Sequence, residues 1–328
     1  MSAGKRFDPD DAPRSRGKRR PVRPGATGGR ARNLDERRVN EFRALVLAHY
    51  RAHGRDDLPW RATRDPYRVL VSEFMLQQTQ VPRVLRRYDP FIRRFPDFRA
   101  LARSPLRVVL LEWSGLGYNR RALLLRETAR VVAAESGGRL PRGREALLSL
   151  PGVGPATAAA VCAFAFGEAH PFIETNIRSA FIHHFFRERR AVGDAEIMPL
   201  VEATLDRRDP RRWYWALMDY GAALKKRHVN PSRRSAHRIV QPRFEGSTRQ
   251  ARGLVVRALA RGALGERALE AETGLDRERL RAALDALERE GMVAGPGGRG
   301  AHAGGGGQRL FRERRRAHEH RTPGGTPP

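Results

Sequence analysis

Hydrophobic residues recur along this chain at helical spacing. In the first ordered stretch Val39, Phe42, Leu45, Val46 and Tyr50 fall three or four apart, the interval of one helix face. A loop with two prolines follows, carrying LPWR at 58–61 and DPY at 65–67. The next stretch, RVLVSEFMLQQTQV over 68–81, is apolar on nearly every side and predicts a buried helix. Shorter helices are expected over 84–95, 98–102 and 105–112, and the turn WSGLGYN at 113–119 leads into a helix reaching residue 134. Further helices are predicted over 144–150, 155–166, 176–186, 194–205 and 210–224. Almost no stretch alternates with a period of two, so the fold class is all-α, with short loops.

The pattern divides the chain. Residues 1–33 are poor in apolar residues and broken by Pro and Gly, which predicts a disordered basic arm. A helical core spans 34–224, and a basic, irregular connector spans 225–247. A second unit occupies 248–311: a helix over 249–261, a helix over 265–273 stopped by Gly274, and a helix capped by Asp276 that runs to Glu290. Met292-Val293 and Leu310-Phe311 flank a Gly-rich loop. Three helices and a two-stranded wing give a winged-helix-like unit, and 312–328 reads as a disordered tail.

Charge changes the picture more than length does. The 328 residues carry a net +28, of which the N-terminal arm holds +7 and the last twenty residues +4. The remaining +17 lies on the body, which points to a polyanionic partner. Arginine supplies most of it, as suits bidentate phosphate contacts. Cys162 is the single cysteine, which excludes an internal disulfide framework and any multi-cysteine metal or iron–sulfur site. No apolar run approaches the length of a membrane span, and the N-terminus lacks the apolar core of a secretory signal. A cytoplasmic location, at the nucleoid, is the expectation.

Three groups of residues could carry chemistry. LPGVGPATAAAV at 150–161 is a helix–turn–helix whose turn uses Gly152 and Gly154, with Pro155 suited to the first turn of the next helix. The unpaired N–H groups of that helix start suit a phosphate; an ordinary interhelical turn is the plainer reading. Glu73 lies among Val69, Leu70, Val71, Phe74, Met75 and Leu76. A buried carboxylate there would be desolvated and its pKa raised, as a general acid requires; an inert Glu on the helix rim is equally open. Gln77, Gln78 and Thr79 end this helix and could contact base edges or simply be solvated. Glu174 precedes TNIRSAF and reads either as a second carboxylate with a separate role or as a capping acid. Asp219 reads as a structural partner of Arg211 or Lys225. Trp60, Trp213 and Trp215 read as core, and Tyr118, in a Gly-bounded loop, could stack on DNA. His183 and His184, adjacent on a helix, face different sides, so no metal site is read there.

LPWR, SEFMLQQTQV, WSGLGYNRRALLL, LPGVGPATAAAV and FIETNIR, in this order and spacing, resemble the MutY-type adenine DNA glycosylases of the helix-hairpin-helix superfamily, to which endonuclease III also belongs. The resemblance covers 58–224. It implies a two-part helix-hairpin-helix core, Glu73 as the acid that protonates the excised adenine, and Gln78 as a wedge in the base stack. It also implies that Thr79 and Tyr118 contact the opposite base, and that Gln77 and the hairpin residues Gly152, Val153, Gly154 and Thr157 contact DNA. Glu174 stands where the family has an aspartate that stabilises the sugar cation. Ala156 stands where endonuclease III-like enzymes have a Schiff-base lysine, which implies a monofunctional hydrolase.

Three departures stand out. The four cysteines that bind the family's iron–sulfur cluster are missing after MDYGA, so no cofactor is expected, and Lys225 and Lys226 are expected to take DNA contacts in its place. The usual C-terminal domain that inspects 8-oxoguanine is replaced by the winged-helix-like unit. Glu replaces Asp at 174. The implied function is base-excision repair on duplex DNA, most simply removal of adenine opposite 8-oxoguanine or guanine. Alternatives are a thymine/uracil mismatch glycosylase or a non-catalytic damage-sensing binder. A monomer is expected, with either phosphate contact by the wing and the first helix of the second unit, which carries Arg249, Arg252, Arg257 and Arg261 without an acid, or a protein partner for its third helix, whose four Arg face five acids.

Overall fold

The computed structural model describes residues 36–238, 243–294 and 310–311. The N-terminal arm, the Gly-rich wing loop, the C-terminal tail and residues 239–242 of the connector lie outside the described residues, and with them the expectations made there.

Helix α1 (Glu36–His53) buries Val39, Phe42, Val46 and Tyr50 as its periodicity predicts, while Leu45, expected on the same face, is turned outward. Helix α2 (Pro66–Leu76) begins where Asp65 accepts the Tyr67 N–H at 2.9 Å and Pro66 takes the first turn. It is mostly buried, with Arg68 exposed, and it stops at Leu76, five residues before its expected end. The reason lies in another helix. The Arg121 Nη1 donates to the carbonyls of Phe74 at 2.8 Å, Met75 at 3.0 Å and Gln77, so the last acceptors of α2 are satisfied by a guanidinium and the chain is free to turn.

Helices α3 (Val81–Arg94), α4 (Phe98–Arg103), α5 (Leu106–Glu112), α6 (Arg120–Glu135), α7 (Arg144–Leu148) and α8 (Pro155–Val161) join α2 in one half of the core, around Phe91, Leu101, Leu106, Trp113 and Leu125. The expected long helix after the hairpin is in two parts. Cys162–Phe166 form a π-helical turn, ended by Gly167 in the left-handed conformation. Helices α9 (Thr175–Phe185), α10 (Asp194–Thr204) and α11 (Pro210–Arg227) form the other half together with α1. Phe42 of α1 meets the ring of Phe181 at 5.0 Å and that of Trp213 at 6.4 Å. The last turn of α11 contains Lys225 and Lys226, so both belong to the core and not to the connector.

Gly221 sets how closely α11 approaches the start of α9. A Cβ there would lie 2.0 Å from the Asn176 carbonyl oxygen. Backbone cannot yield as a flexible side chain does, so Gly221→Ala should destabilise the protein by about 1–3 kcal/mol or more. A lower urea midpoint at unchanged slope is the expected result, and an unchanged midpoint would refute the close approach.

The second unit has α12 (Thr248–Leu259), α13 (Glu266–Thr273) and α14 (Arg277–Arg289), then β1 (Val293–Ala294) paired antiparallel with β2 (Leu310–Phe311). Ser247 caps α12, Asp276 caps α14, and Gly274 ends α13 in the left-handed conformation. Val255, Leu259, Leu269, Leu280, Leu284 and Leu287 form its core. It docks on the first unit, where Arg107 Nη1 donates to the Ala260 carbonyl at 3.0 Å. No helix among the described residues is long and apolar enough to cross a membrane.

Candidate active site

A cavity of about 280 Å³ opens between the two halves of the core. That is near the lower end for ligand pockets, about 300–1,000 Å³, and suits one flat ring system. Its walls come from α2, from the start of α8, from the α9 N-terminus, from α11 and from the loop before α2. Glu73 and Glu174 both line it.

Glu73 is partly covered, on a helix that also carries the exposed Arg68 and the buried Ser72, and its neighbours Phe74 and Met75 are in the core. Burial, reinforced by the nearby charge of Glu174, pushes its carboxyl up to about 8, against a smaller opposing pull from Arg61. Of the two readings left open for Glu73, the exposed helix rim is not what the structure has: the carboxyl is desolvated at the cavity wall.

Glu174 is the N-cap of α9. Its Oε1 accepts from the backbone N–H of Asn176 at 2.7 Å and of Ile177 at 2.9 Å, and its Oε2 accepts from Asn176 Nδ2 at 3.2 Å. Glu174 is thus a capping acid, and its capping bonds fix the carboxylate at the cavity wall. Lys225 Nζ in turn donates to Asn176 Oδ1 at 2.8 Å. Desolvation holds the Lys225 ammonium below the usual lysine range, against an upward pull from Glu174. Lys225 thus faces inward, while Lys226 is exposed one residue on. The expectation that both face phosphate fails for Lys225, because successive helical residues diverge by about 100°.

On the cavity lining, Gln77 Nε2 donates to Thr157 Oγ1 at 3.1 Å and ties the end of α2 to the hairpin helix. Gly152 turns with φ +77 and is packed so closely that a Cβ would meet Leu124 Cβ at 2.8 Å. Gly154 is the N-cap of α8. The side chain of Val153 is buried and its N–H donates to the Leu150 carbonyl at 3.2 Å, so neither group is offered to a phosphate. The N–H groups of Ala156 and Thr157, in the first turn of α8, are the ones this geometry leaves for one.

Gln78 and Tyr118 both adopt left-handed backbone, with φ +53 and φ +47. For non-glycine residues such strain costs about 1–3 kcal/mol each and collects at functional sites. One guanidinium supports both. Arg121 Nη2 donates to Thr79 Oγ1 at 2.9 Å and to the carbonyls of Leu116 and Gly117 at 3.3 and 3.0 Å, while Nη1 holds the end of α2. Arg121 was not singled out from sequence. Two adjacent arginines open α6, and nothing local tells which one turns inward.

Asp219 pairs with neither Arg211 nor Lys225. It accepts from both Arg61 nitrogens, at 2.8 and 2.9 Å, and from Arg55 Nε at 2.7 Å. Lys225 lies six residues on, about 120° away around α11. Arg211 instead donates to the carbonyls of Arg61 and Thr63, at 2.8 and 2.5 Å. Asp219 is thereby held below the usual carboxylate range by the Arg61 and Arg55 bonds, although burial opposes this. Trp215, expected in the core, lines the cavity; its ring lies under Arg211 at 4.4 Å and Arg61 at 5.2 Å and stacks with Phe164 at 5.9 Å.

The segment after α11 does not fit an iron–sulfur cluster. It contains no thiolate donor, and its turn is bonded into the fold in other ways. Ser232 Oγ meets Ser179 Oγ at 2.5 Å, and the Arg234 guanidinium donates to the Phe186 carbonyl at 2.5 Å and to that of Arg187. The Val192 N–H donates to the Arg234 carbonyl, and the Val192 carbonyl accepts from the Ala236 N–H, both at 2.9 Å. Elsewhere Cys162, Glu168 and His170 bring one potential ligand atom each within 4.8 Å of one another. Burial and then Glu168 push the thiol up to about 12, and Arg142 and His170 lie 3.8 and 3.7 Å from Glu168. A protonated thiol beside a charge pair accounts for this group.

A family model described as HhH-GPD superfamily base excision DNA repair protein matches residues 71–216. The adenine DNA glycosylase of Buchnera aphidicola (subsp. Baizongia pistaciae) is 34% identical over 56% of this chain and 52% of its own length. A thymine/uracil-DNA glycosylase of Methanothermobacter thermautotrophicus is 35% identical over 56% of this chain and 84% of its own. Among solved structures, a thermostable thymine-DNA glycosylase superposes with a TM-score of 0.51 at 32% identity, covering 57% of this chain and 87% of that one. The chain belongs to the HhH-GPD superfamily of base excision DNA repair proteins. It spans about half the length of the adenine DNA glycosylases that it matches.

Proposed function

We propose that the protein is a monofunctional DNA glycosylase that hydrolyses the N-glycosidic bond of adenine mispaired with 8-oxoguanine or guanine in duplex DNA. The observation that carries this reading is the pairing of two differently treated carboxyls on one small cavity. Burial keeps Glu73 protonated near neutral pH, and hydrogen bonds from the α9 N-terminus fix Glu174. With the target base flipped into the cavity, Glu73 donates its proton to a ring nitrogen, which weakens the bond to the sugar. The Glu174 carboxylate faces the positive charge that develops on the sugar and orients the attacking water. The first turn of α8 receives a backbone phosphate, and Gln78, Thr79 and Tyr118 engage the strands beside the vacated position. Ala156 lines the cavity where an amine would be needed for a Schiff base, which supports hydrolysis without strand cleavage. The lack of thiolate donors after α11 supports a cluster-free enzyme, and a duplex DNA substrate would be met at the nucleoid.

One observation favours a second substrate class. The thymine/uracil-DNA glycosylase is matched over most of its length, whereas the adenine glycosylases are matched over about half of theirs. Single-turnover reactions with enzyme in excess, on duplexes bearing A opposite 8-oxoguanine, A opposite G, T opposite G and U opposite G, decide between them. Alkali-labile sites at adenine are expected. Cleavage confined to T or U transfers the assignment to mismatch repair of pyrimidines. Intact strands throughout, with DNA still bound, would leave only a damage-sensing binder.

A further inference from the structure

The second unit reaches the candidate DNA-facing edge of the core through one side chain. Arg249, in the first turn of α12, donates from Nη1 to Tyr118 Oη at 3.1 Å. Its guanidinium lies 5.9 Å from the Tyr118 ring and 5.5 Å from the ring of Phe244, which is 56% exposed. The Arg121 guanidinium lies 5.6 Å from the same Tyr118 ring. The tyrosine is therefore held by one arginine from each unit. The other arginines of this region differ. Arg252 pairs with Glu290 and Arg261 with Glu272 inside the second unit, so the general phosphate contact expected of this helix is not what these two side chains are arranged to make.

A phenol that accepts a bond from a guanidinium keeps its own proton to give. Arg249 occupies an acceptor site of the Tyr118 oxygen, so the hydroxyl proton is directed away from Arg249, toward an acceptor atom. Tyr118 shares the Arg121 anchor with Thr79 and the Gln78 turn, so this donor lies on the same edge as the residues proposed to enter the base stack.

We propose that Arg249 is a positioning residue that holds the Tyr118 hydroxyl as a hydrogen-bond donor to a carbonyl oxygen on the base opposite the excised one. The second unit then takes part in choosing the opposite base, through the core's own tyrosine. This rests on the glycosylase reading for its setting. Its test does not require excision.

In a Glu73→Gln background, which blocks the reaction, affinities are measured by fluorescence anisotropy for duplexes placing A opposite 8-oxoguanine, G or C. Added Arg249→Ala is expected to reduce the affinity ratio between the preferred and least preferred opposite base by fivefold or more. Arg249→Lys should not restore it, because an ammonium lacks the planar fork that stacks on the ring and bonds the hydroxyl together. Tyr118→Phe should reduce the ratio equally, and adding Arg249→Ala to it should change nothing more. A uniform loss of affinity with the ratio intact would mean a phosphate contact and overturn the proposal, as would additive effects of the two substitutions. Excision by the wild-type protein, run in parallel, tests the glycosylase reading separately.

Discussion

Glu73→Gln is expected to slow excision by about 10²–10⁴-fold while making the folded protein more stable at neutral and alkaline pH. The two effects have one cause. The carboxyl is held at about 8 against an ordinary 4.5, so the folded chain binds this proton more tightly than the unfolded chain does. Between those values the unfolded state has released the proton and the folded state retains it. Stability therefore falls as pH rises from about 4.5 to about 8, and below 4.5 the group contributes no difference. Glutamine keeps the shape without the ionisation. At pH 8 the variant should be more stable than the wild type by about 1–4 kcal/mol, and at pH 4 the two should converge. The wild-type single-turnover rate should be level below neutrality and fall tenfold per pH unit above about 8, as a proton donor requires. Thermal melts at the two pH values and a rate profile from pH 5 to 9.5 check both halves. A variant that loses activity but is less stable at pH 8 would count against a desolvated acid.

Glu174→Gln should cut the rate by about 10²–10³-fold, the scale seen when one preorganised electrostatic group facing a developing charge is removed. Stability should change by less than about 1 kcal/mol, because the amide oxygen can still accept the N–H groups of Asn176 and Ile177 as a cap. Glu174→Ala loses the cap as well, at a further cost of about 0.5–2 kcal/mol. The informative comparison is affinity for DNA. Both variants should bind the mismatch as the wild type does, since the carboxylate acts on charge that exists only as the bond breaks. A parallel loss of affinity and rate would assign Glu174 to substrate binding.

The architecture was legible because helix periodicity is a local property, and both carboxyls were legible because their neighbours in the chain are informative. Glu73 interrupts an apolar run, and Glu174 stands directly before a helix. What escaped was non-local. The early stop of α2 is decided by Arg121, more than forty residues away. Asp219 finds its partners 158 and 164 residues earlier in the chain, and no spacing rule connects them. Trp215 reads like any core tryptophan, and only the placement of α11 against the π-helical turn turns it to the cavity. Lys225 failed for a different reason: the helix that carries it runs one turn further than its composition suggests.

The shared anchor of Gln78 and Tyr118 constrains how this protein can diverge. On the proposed reading, a substitution at either residue alters contact with one part of the duplex and leaves the other in place. A substitution at Arg121 releases both turns together, because the same guanidinium closes the end of α2 and the loop before α6. The two tips can therefore vary one at a time, whereas a change at Arg121 acts on both.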